Sequence, residues 1–500
     1  MTQIHKTDSD NNNLPIFFVF NFLFLCLLPF ALIAQNTLTL VDCIRSAQEQ
    51  SHEAKHAKNN FLDAYYQYKL YKKSYLPTIS LSGILPAFNR SISKITLPDG
   101  SEKFVSQSSG NYSASISITQ PIPFIGGQFF ISTGLQRLDI YKDSTTTSYL
   151  ANLINIGVRQ PFSFYNPFKW QRKIEPIYYS EAKQIFIETL ENAALQAIEL
   201  YFSYLKTQTN YEIFSLNKSN TDTLLQIAKE RYGAGKITED EVLQIEVNML
   251  NLTFQIEQLQ NTLKDKQSVL CNYINIPIST YNLEIPATLP VSAINSEQAC
   301  EMSIVNSSQE LAHKRRLLEA KREVAKAKSE NGISVDLYAS FGLSQSSILL
   351  KQAYKTPLDQ EQITLNLNIP ILNWGVAQIK KKKAELKFSE VSLNIEQERL
   401  DSKRLINNTV NQYNIQSTLL LVVKKTMELS QKRYEMSKER YMNGKIGFSD
   451  YSLAQNEKDR SQIDYIQVLE NNWIKYYEIR KLTLFDFIEN KQIEVETLLK

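Results

Sequence analysis

The chain has 500 residues, with 55 Lys+Arg against 52 Asp+Glu, a formal net charge of +3, and only 14 Gly and 15 Pro. A balance this close to neutral offers no electrostatic footprint for nucleic acid. No Gly lies between Gly235 and Gly332, and no Pro between Pro176 and Pro277. An α/β enzyme would need turns far more often than that, so the spacing favours a few very long helices.

Leu14 to Ala34 reads LPIFFVFNFLFLCLLPFALIA, an apolar core ending in a small residue before Gln35. That is the shape of a secretory signal peptide, expected to be cleaved after Ala34; an uncleaved anchor is the rival reading. No later segment has eighteen consecutive apolar residues, so no other transmembrane helix is expected. The remaining cysteines, Cys43, Cys271 and Cys300, make neither a disulfide framework nor a CxxC metal site.

A first helix carries His52-Glu53-Ala54-Lys55-His56, a formal match to the HExxH zinc-protease motif. A catalytic zinc needs a third protein ligand. The one other histidine after the signal, His313, sits at the matching place in the second half of the chain. Surface residues on a helix are the simpler reading, with no cofactor and no metal expected, and the chain is not read as an enzyme.

Strand-like runs follow: Thr78–Phe88, Tyr112–Gln120, Gln128–Leu138 and Tyr149–Gln160, and in the second half Val335–Ser344 and Gln362–Ile369. Several alternate apolar with small or polar residues, and lengths near ten suit membrane-spanning β-strands. In lipid such strands must close into a barrel. Six strands from one chain are too few for a wide pore, so several copies are expected.

An amphipathic stretch after Pro167 runs to the Gly233–Gly235 turn, and its counterpart runs from about Val376 to Asn443. Leu386, Leu393 and Leu400 lie seven apart; after a shift, so do Ile406, Tyr413, Leu420, Met427, Tyr434 and Tyr441. Sevenfold spacing is a coiled-coil seam. A closed ring of helices and an ordinary bundle core both satisfy it. The Lys380–Lys383 run reads as a solvated face.

The chain repeats itself. Lys229–Ile237 (KERYGAGKI) and Lys438–Ile446 (KERYMNGKI) agree at seven of nine positions, at an offset of 209. Cys43 aligns with Cys300 and Ser51 with Ser308 at an offset of 257, so the first half holds about 48 extra residues. Each half reads helix, strands, long helix, RYxxGKI turn, helix. The expected division is a signal over 1–34, a first repeat over 35–290 with an extra strand hairpin near 111–160, a second repeat over 291–490 and a tail over 491–500.

These duplicated turns, with TLTLVDCIRSAQEQS, YLPTISLSG (Tyr75–Gly83) and PILNWG (Pro370–Gly375), resemble the TolC-like outer-membrane efflux proteins of Gram-negative bacteria. The resemblance covers nearly the whole chain after the signal. It implies a mostly α protein with a transmembrane β-barrel portion, a homotrimer whose barrel continues into a periplasmic α-helical tunnel. It implies an outer-membrane exit duct of a tripartite efflux or type I secretion system, docked to a periplasmic adaptor and through it to an inner-membrane pump. Family members typically give two strands per repeat, whereas four are read in the first repeat here. Either a larger barrel or a hairpin lying against its mouth would accommodate them.

Carried over on the RYxxG alignment, Asp450 falls on the family's aperture carboxylate and Glu241 is its counterpart in the first repeat. Tyr441 falls on the aromatic that bonds across to the other hairpin, so a Tyr441–Glu241 contact is expected. The family's second aperture acid falls on Leu453 and its gating arginine on Ile446. Gly235, Lys236, Ile237 and Thr238, with Gly444, Lys445, Ile446 and Gly447, are the expected adaptor-docking tips, with Lys236, Ile237, Lys445 and Ile446 exposed. Two further readings stay open: a periplasmic adaptor, which would carry one hairpin rather than two, and a coiled-coil structural protein of the cell envelope, which would not need the strands.

Overall fold

The structure is a computed structural model that describes residues 36–494 apart from 142–143, 163–164, 280, 291–292 and 331. The expected signal segment and its cleavage site lie outside the described residues.

A short strand β1 (Asn36–Leu38) leads into helices α1 (Leu40–Gln50) and α2 (His52–Lys73). The first helix expected from the sequence is therefore two. The break is Ser51, whose extended backbone ends α1 and whose hydroxyl accepts the Ala54 N–H to cap α2. Four strands follow: β2 (Thr78–Thr96), β3 (Glu102–Ile122), β4 (Gly127–Tyr141) and β5 (Thr145–Phe162). Then come α3 (Pro167–Gly233) and α4 (Glu239–Tyr273), joined by the first RYxxG turn. Asn166 starts α3 by accepting from the Phe168 and Lys169 N–H groups, with Pro167 at the first helical position, where its missing N–H costs nothing.

The linker between repeats carries β6 (Tyr281–Leu283), which pairs in parallel with β1 and ties the linker to the start of the chain. The second repeat gives α5 (Ser296–Asn306), α6 (Ser308–Glu330), β7 (Ser334–Ser347), β8 (Leu358–Asn368), α7 (Val376–Met442) and α8 (Phe448–Thr483). Helices α3 and α7 each have 67 residues, about 100 Å of helix. Among the described residues no helix is long and apolar enough to cross a membrane.

The main core lies where both repeats meet, built from α1, α3, α4, α7 and α8 around Tyr201, Phe202, Leu270, Tyr413 and Tyr476. The Tyr201 hydroxyl donates to the carbonyls of Leu38 and Glu284, 3.1 and 2.7 Å away, so the aromatic core also holds the β1–β6 seam.

The six long strands form one antiparallel meander in the order β2-β3-β4-β5-β7-β8. Strands β3 and β4 sit inside the sheet, between β2 and β5, and not against a mouth. The sheet has two chemically distinct faces. One row across five strands reads Ile79, Ile118, Ile131, Ile156, Phe341; the adjacent row reads Ser80, Ser117, Ser132, Asn155, Gly342. On the polar face the Ser80–Ser117 and Ser82–Ser115 hydroxyls bond at 2.9 Å. Apolar side chains on one face and small polar ones on the other is the dyad pattern of a membrane barrel wall. Towards the far end Phe88, Tyr112, Tyr141 and Tyr149 fall on the apolar face, the position of an aromatic girdle.

The sevenfold seam of α7 divides. Ile406, Tyr413, Leu420, Tyr434 and Tyr441 are buried within the chain, whereas Leu386, Leu393 and Leu400 are each about 60% exposed. The expected seam is therefore packed within the chain over its second part and bare over its first. Lys380–Lys383 are exposed.

Candidate gate at the hairpin tips

Both hairpins end in the same backbone device. Gly235 and Gly444 have φ of 67° and 68°, the left-handed conformation that a glycine adopts without steric cost. Lys236 N–H returns to the Arg231 carbonyl and Lys445 N–H to the Arg440 carbonyl, each at 2.9 Å, closing the C-terminus of the long helix. The duplication seen in the sequence is thus a duplication of turn geometry.

The side chains around the two turns differ. Tyr232 is 47% exposed, whereas its counterpart Tyr441 is 3% exposed. Tyr441 stacks on Tyr451 with ring centres 5.5 Å apart, within a cluster that includes Tyr434 and Phe448. The corresponding positions of the first repeat supply aliphatic Leu225 and Val242 to the same cluster. The tip core is shared between hairpins, with the aromatic half on the second.

Glu241 lies at this junction. Its Oε1 accepts the Phe448 N–H at 3.2 Å. Phe448 opens α8, and the residue before it, Gly447, has no side chain with which to cap the helix. In the first repeat Thr238 occupies that position and accepts the Glu241 N–H itself. Glu241 therefore supplies from one hairpin the cap that the other lacks, with its charge at the positive end of α8. It also faces Tyr441: burial, then the Glu241 carboxylate, push the phenol up to about 12.

Arg231 is a cross-hairpin residue that the sequence reading missed. Its guanidinium donates to the carbonyls of Met442 (2.7 Å) and Tyr441 (3.4 Å) and lies over the Tyr441 ring. At the aligned place of the family's gating arginine stands Ile446, and the cation at this junction is Arg231 of the other hairpin. The RYxxG motif contained it all along, as the residue beside Tyr232.

The other expected positions resolve individually. Asp450 is exposed on the first turn of α8. Gly235, Lys236, Thr238, Gly444, Lys445 and Gly447 are exposed at the tips. Ile237 and Ile446 correct the expectation: they are half-buried and pack against the Tyr441–Tyr451 cluster, because each turn folds its isoleucine back onto the shared core. Leu453, in place of a second aperture acid, is about half exposed.

Some 25 Å above the tips, the α3–α8 seam is polar. Asn217 donates to Asp459 at 2.6 Å, while Asn217 Oδ1 and the Thr221 hydroxyl are buried with no hydrogen-bond partner. Each such orphan costs about 1–3 kcal/mol. A seam carrying two of them gains hydration when it parts.

Within the HExxH stretch, the side chains of Glu53 and His56 hydrogen-bond inside the chain. Glu53 accepts from Asn192 (2.7 Å) and from the Tyr273 hydroxyl (3.2 Å), and His56 bonds Asn60. Among the described residues no group of three or more His, Cys, Asp or Glu could hold a metal ion. His313 is buried in the second repeat and bonds Glu398 at 2.9 Å.

Residues 305–483 match the outer membrane efflux protein family. No curated protein sequence matches the chain. Among solved structures, a membrane protein from Pseudomonas aeruginosa aligns with a TM-score of 0.63 at 13% identity, over 91% of this chain and 92% of that one. The Campylobacter jejuni CmeC outer membrane channel gives 0.61 at 14% identity, over 89% and 85%. The outer membrane protein VceC from Vibrio cholerae gives 0.62 at 11% identity, over 91% and 97%. The chain is similar to TolC-like efflux proteins in fold across almost its entire length. The family match falls on the second repeat, and the extra strands lie in the first.

Proposed function

We propose that the chain is the outer-membrane channel of an efflux or type I secretion system, a passive duct gated at its helical tips. The observation that carries this reading is the pairing of two unsatisfied surfaces in one chain. The sheet has an apolar face next to a small-polar face, which suits a barrel wall between lipid and water. The helices expose apolar seams: Leu243, Val247, Leu250 and Phe254 on α4, and Ile415, Val422, Leu429 and Met436 on α7. Each seam has coiled-coil spacing, and each faces away from its own chain.

A ring of copies satisfies both surfaces, with α4 of one copy against α7 of the next. Three copies, as the family resemblance implies, would enclose a tunnel of twelve helices beneath the barrel. The exposed Lys236 and Lys445 tips are where a periplasmic adaptor would dock. Opening would separate the tip contacts of Glu241, Tyr441 and Arg231, and would hydrate Asn217 and Thr221 above them. Such a packed-or-splayed pair is a two-state element that a docking partner can bias.

The test is to separate inner from outer membranes and to reconstitute the purified protein in a planar lipid bilayer. Recovery with the outer membrane and discrete ion-conducting steps support the reading. Recovery as a soluble protein with no conductance overturns it.

A further inference from the structure

Among the described residues, two strands of the sheet have only one neighbour. β2 pairs only with β3, and β8 only with β7. Both edges run through the apolar band, and in hydrocarbon every N–H and C=O along them needs a partner. Resting on the channel reading above, we propose that β2 of one copy pairs with β8 of the next in a single register, with Ile79 opposite Leu367. Three copies then close a barrel of eighteen strands, six from each.

Three observations fix the partner and the register. The edges have compatible polarity: the six-strand sheet is antiparallel throughout and has an even number of strands, so β8 meets the next β2 antiparallel. The register brings the strand ends flush, with Thr78 opposite Asn368, as Ser334 is already flush with Asn368 inside the sheet. It also matches chemistry: Ile79, Leu81 and Gly83 meet Leu367, Leu365 and Ile363, while Ser80 meets Asn366 on the polar face. Within one copy the row that starts at Ile79 ends at Glu361 on β8. Closure therefore needs a stagger of six residues per copy. Six residues of rise over six strand spacings correspond to a strand tilt of about 35°, within the usual range for closed barrels.

The consequence is the width of the duct. Eighteen strands at that tilt enclose a barrel about 34 Å across between backbones, against about 23 Å for twelve. Barrels of this strand number hold an aqueous channel. The polar rows that line it are mainly Ser, Thr, Asn and Gly. Lys103, Arg159 and Asp336 fall on the same face, so the lining is polar with a few fixed charges, and a lumen this wide leaves size selection to the helical tips.

The test is a cysteine pair, Ser80→Cys with Asn366→Cys, oxidised in outer membranes and read on a denaturing gel. Bands at two and three times the chain mass are expected, and neither single variant should give them. Cross-linking by the offset pair Ser82→Cys with Asn366→Cys in place of the first overturns the register. As a check independent of the variants, end-on density of the unmodified complex should show eighteen strands, and twelve would overturn the proposal. A trimer recovered from the outer membrane without the Ser80–Asn366 link sinks this inference alone. Failure to find any outer-membrane oligomer sinks the channel reading with it.

Discussion

The Glu241 carboxylate caps helix α8 through the Phe448 N–H, 3.2 Å away, across the boundary between two hairpins. It stands in for a side chain that Gly447 does not have. The consequence is a separable pair of roles. Glu241→Ala should destabilise the second hairpin by about 1 kcal/mol, the usual worth of a helix cap. Gly447→Thr, which restores the residue type of Thr238, should recover that stability, because its added Cβ meets nothing within 4 Å. It should not restore the link between hairpins. Thermal unfolding of the two single variants and the double variant separates these effects, and a leak that Gly447→Thr also cures would contradict the linking role.

Tyr441 and Arg231 hold the same junction from the other side. Tyr441→Phe keeps the stacking on Tyr451 and loses the hydroxyl facing Glu241. Arg231→Ala loses the donors to the Met442 and Tyr441 carbonyls. Each should raise the resting conductance of bilayer-reconstituted channels several-fold, with Arg231→Lys intermediate because one ammonium cannot reproduce the guanidinium fork. Unchanged conductance in both would remove these residues from the gate.

The repeat offset extends this to the neighbouring copy. Arg440 and Tyr232 are the counterparts of Arg231 and Tyr441, yet both are exposed in the single chain. In a ring of alternating hairpins they occupy the equivalent junction between copies. Arg440→Ala should therefore raise conductance as much as Arg231→Ala. An Arg440→Ala channel as tight as the unmodified protein would break the equivalence.

Higher in the helical body, Arg480 forms a fork on Glu191, with N–O distances of 2.9 and 3.0 Å, and also reaches Asp486. The Glu191 side chain is fully buried. Removing one member of a buried pair strands the other charge, at a cost of roughly 3–5 kcal/mol. Arg480→Ala should sharply lower the amount of folded protein in the membrane fraction, whereas the Arg480→Ala, Glu191→Met double variant should regain part of it.

Acid should loosen the packing of α6 on α7. The hydrogen bond from Arg316 is the main reason that the Glu398 carboxyl is held down at about 2, with His313 adding to the effect and burial opposing it. Its folded value lies below the unfolded value of about 4.3. The stabilisation is therefore full above about pH 4.3 and is lost as pH falls towards 2. Melting temperature should drop over that window in the unmodified protein and less steeply in Glu398→Gln. Equal slopes would show that the bond contributes nothing.

What the sequence revealed and what it hid follow from the range of the interactions. The tips, the repeat offset and the long helices depend on local signals: a glycine at positive φ, a Pro at a helix start, a sevenfold period. They could be read directly. The strands were placed but cut short. The reading began the second strand at Tyr112, whereas β3 begins at Glu102. Gly110 lies mid-strand, where an added Cβ would come within 2.8 Å of the Tyr141 hydroxyl. That neighbour lies on the adjacent strand, far away in sequence. Likewise the leucines at 386, 393 and 400 have the same period as Tyr413 and Leu420, and only tertiary packing distinguishes the part of the seam used within the chain from the part left bare.

The channel reading requires several copies of the chain to close around a common axis. Native mass spectrometry of the complex, extracted from outer membranes in mild detergent, tests this most directly. The account requires a single species of three chains. A species of one chain, with its α4 and α7 seams and its β2 and β8 edges left bare, would contradict it.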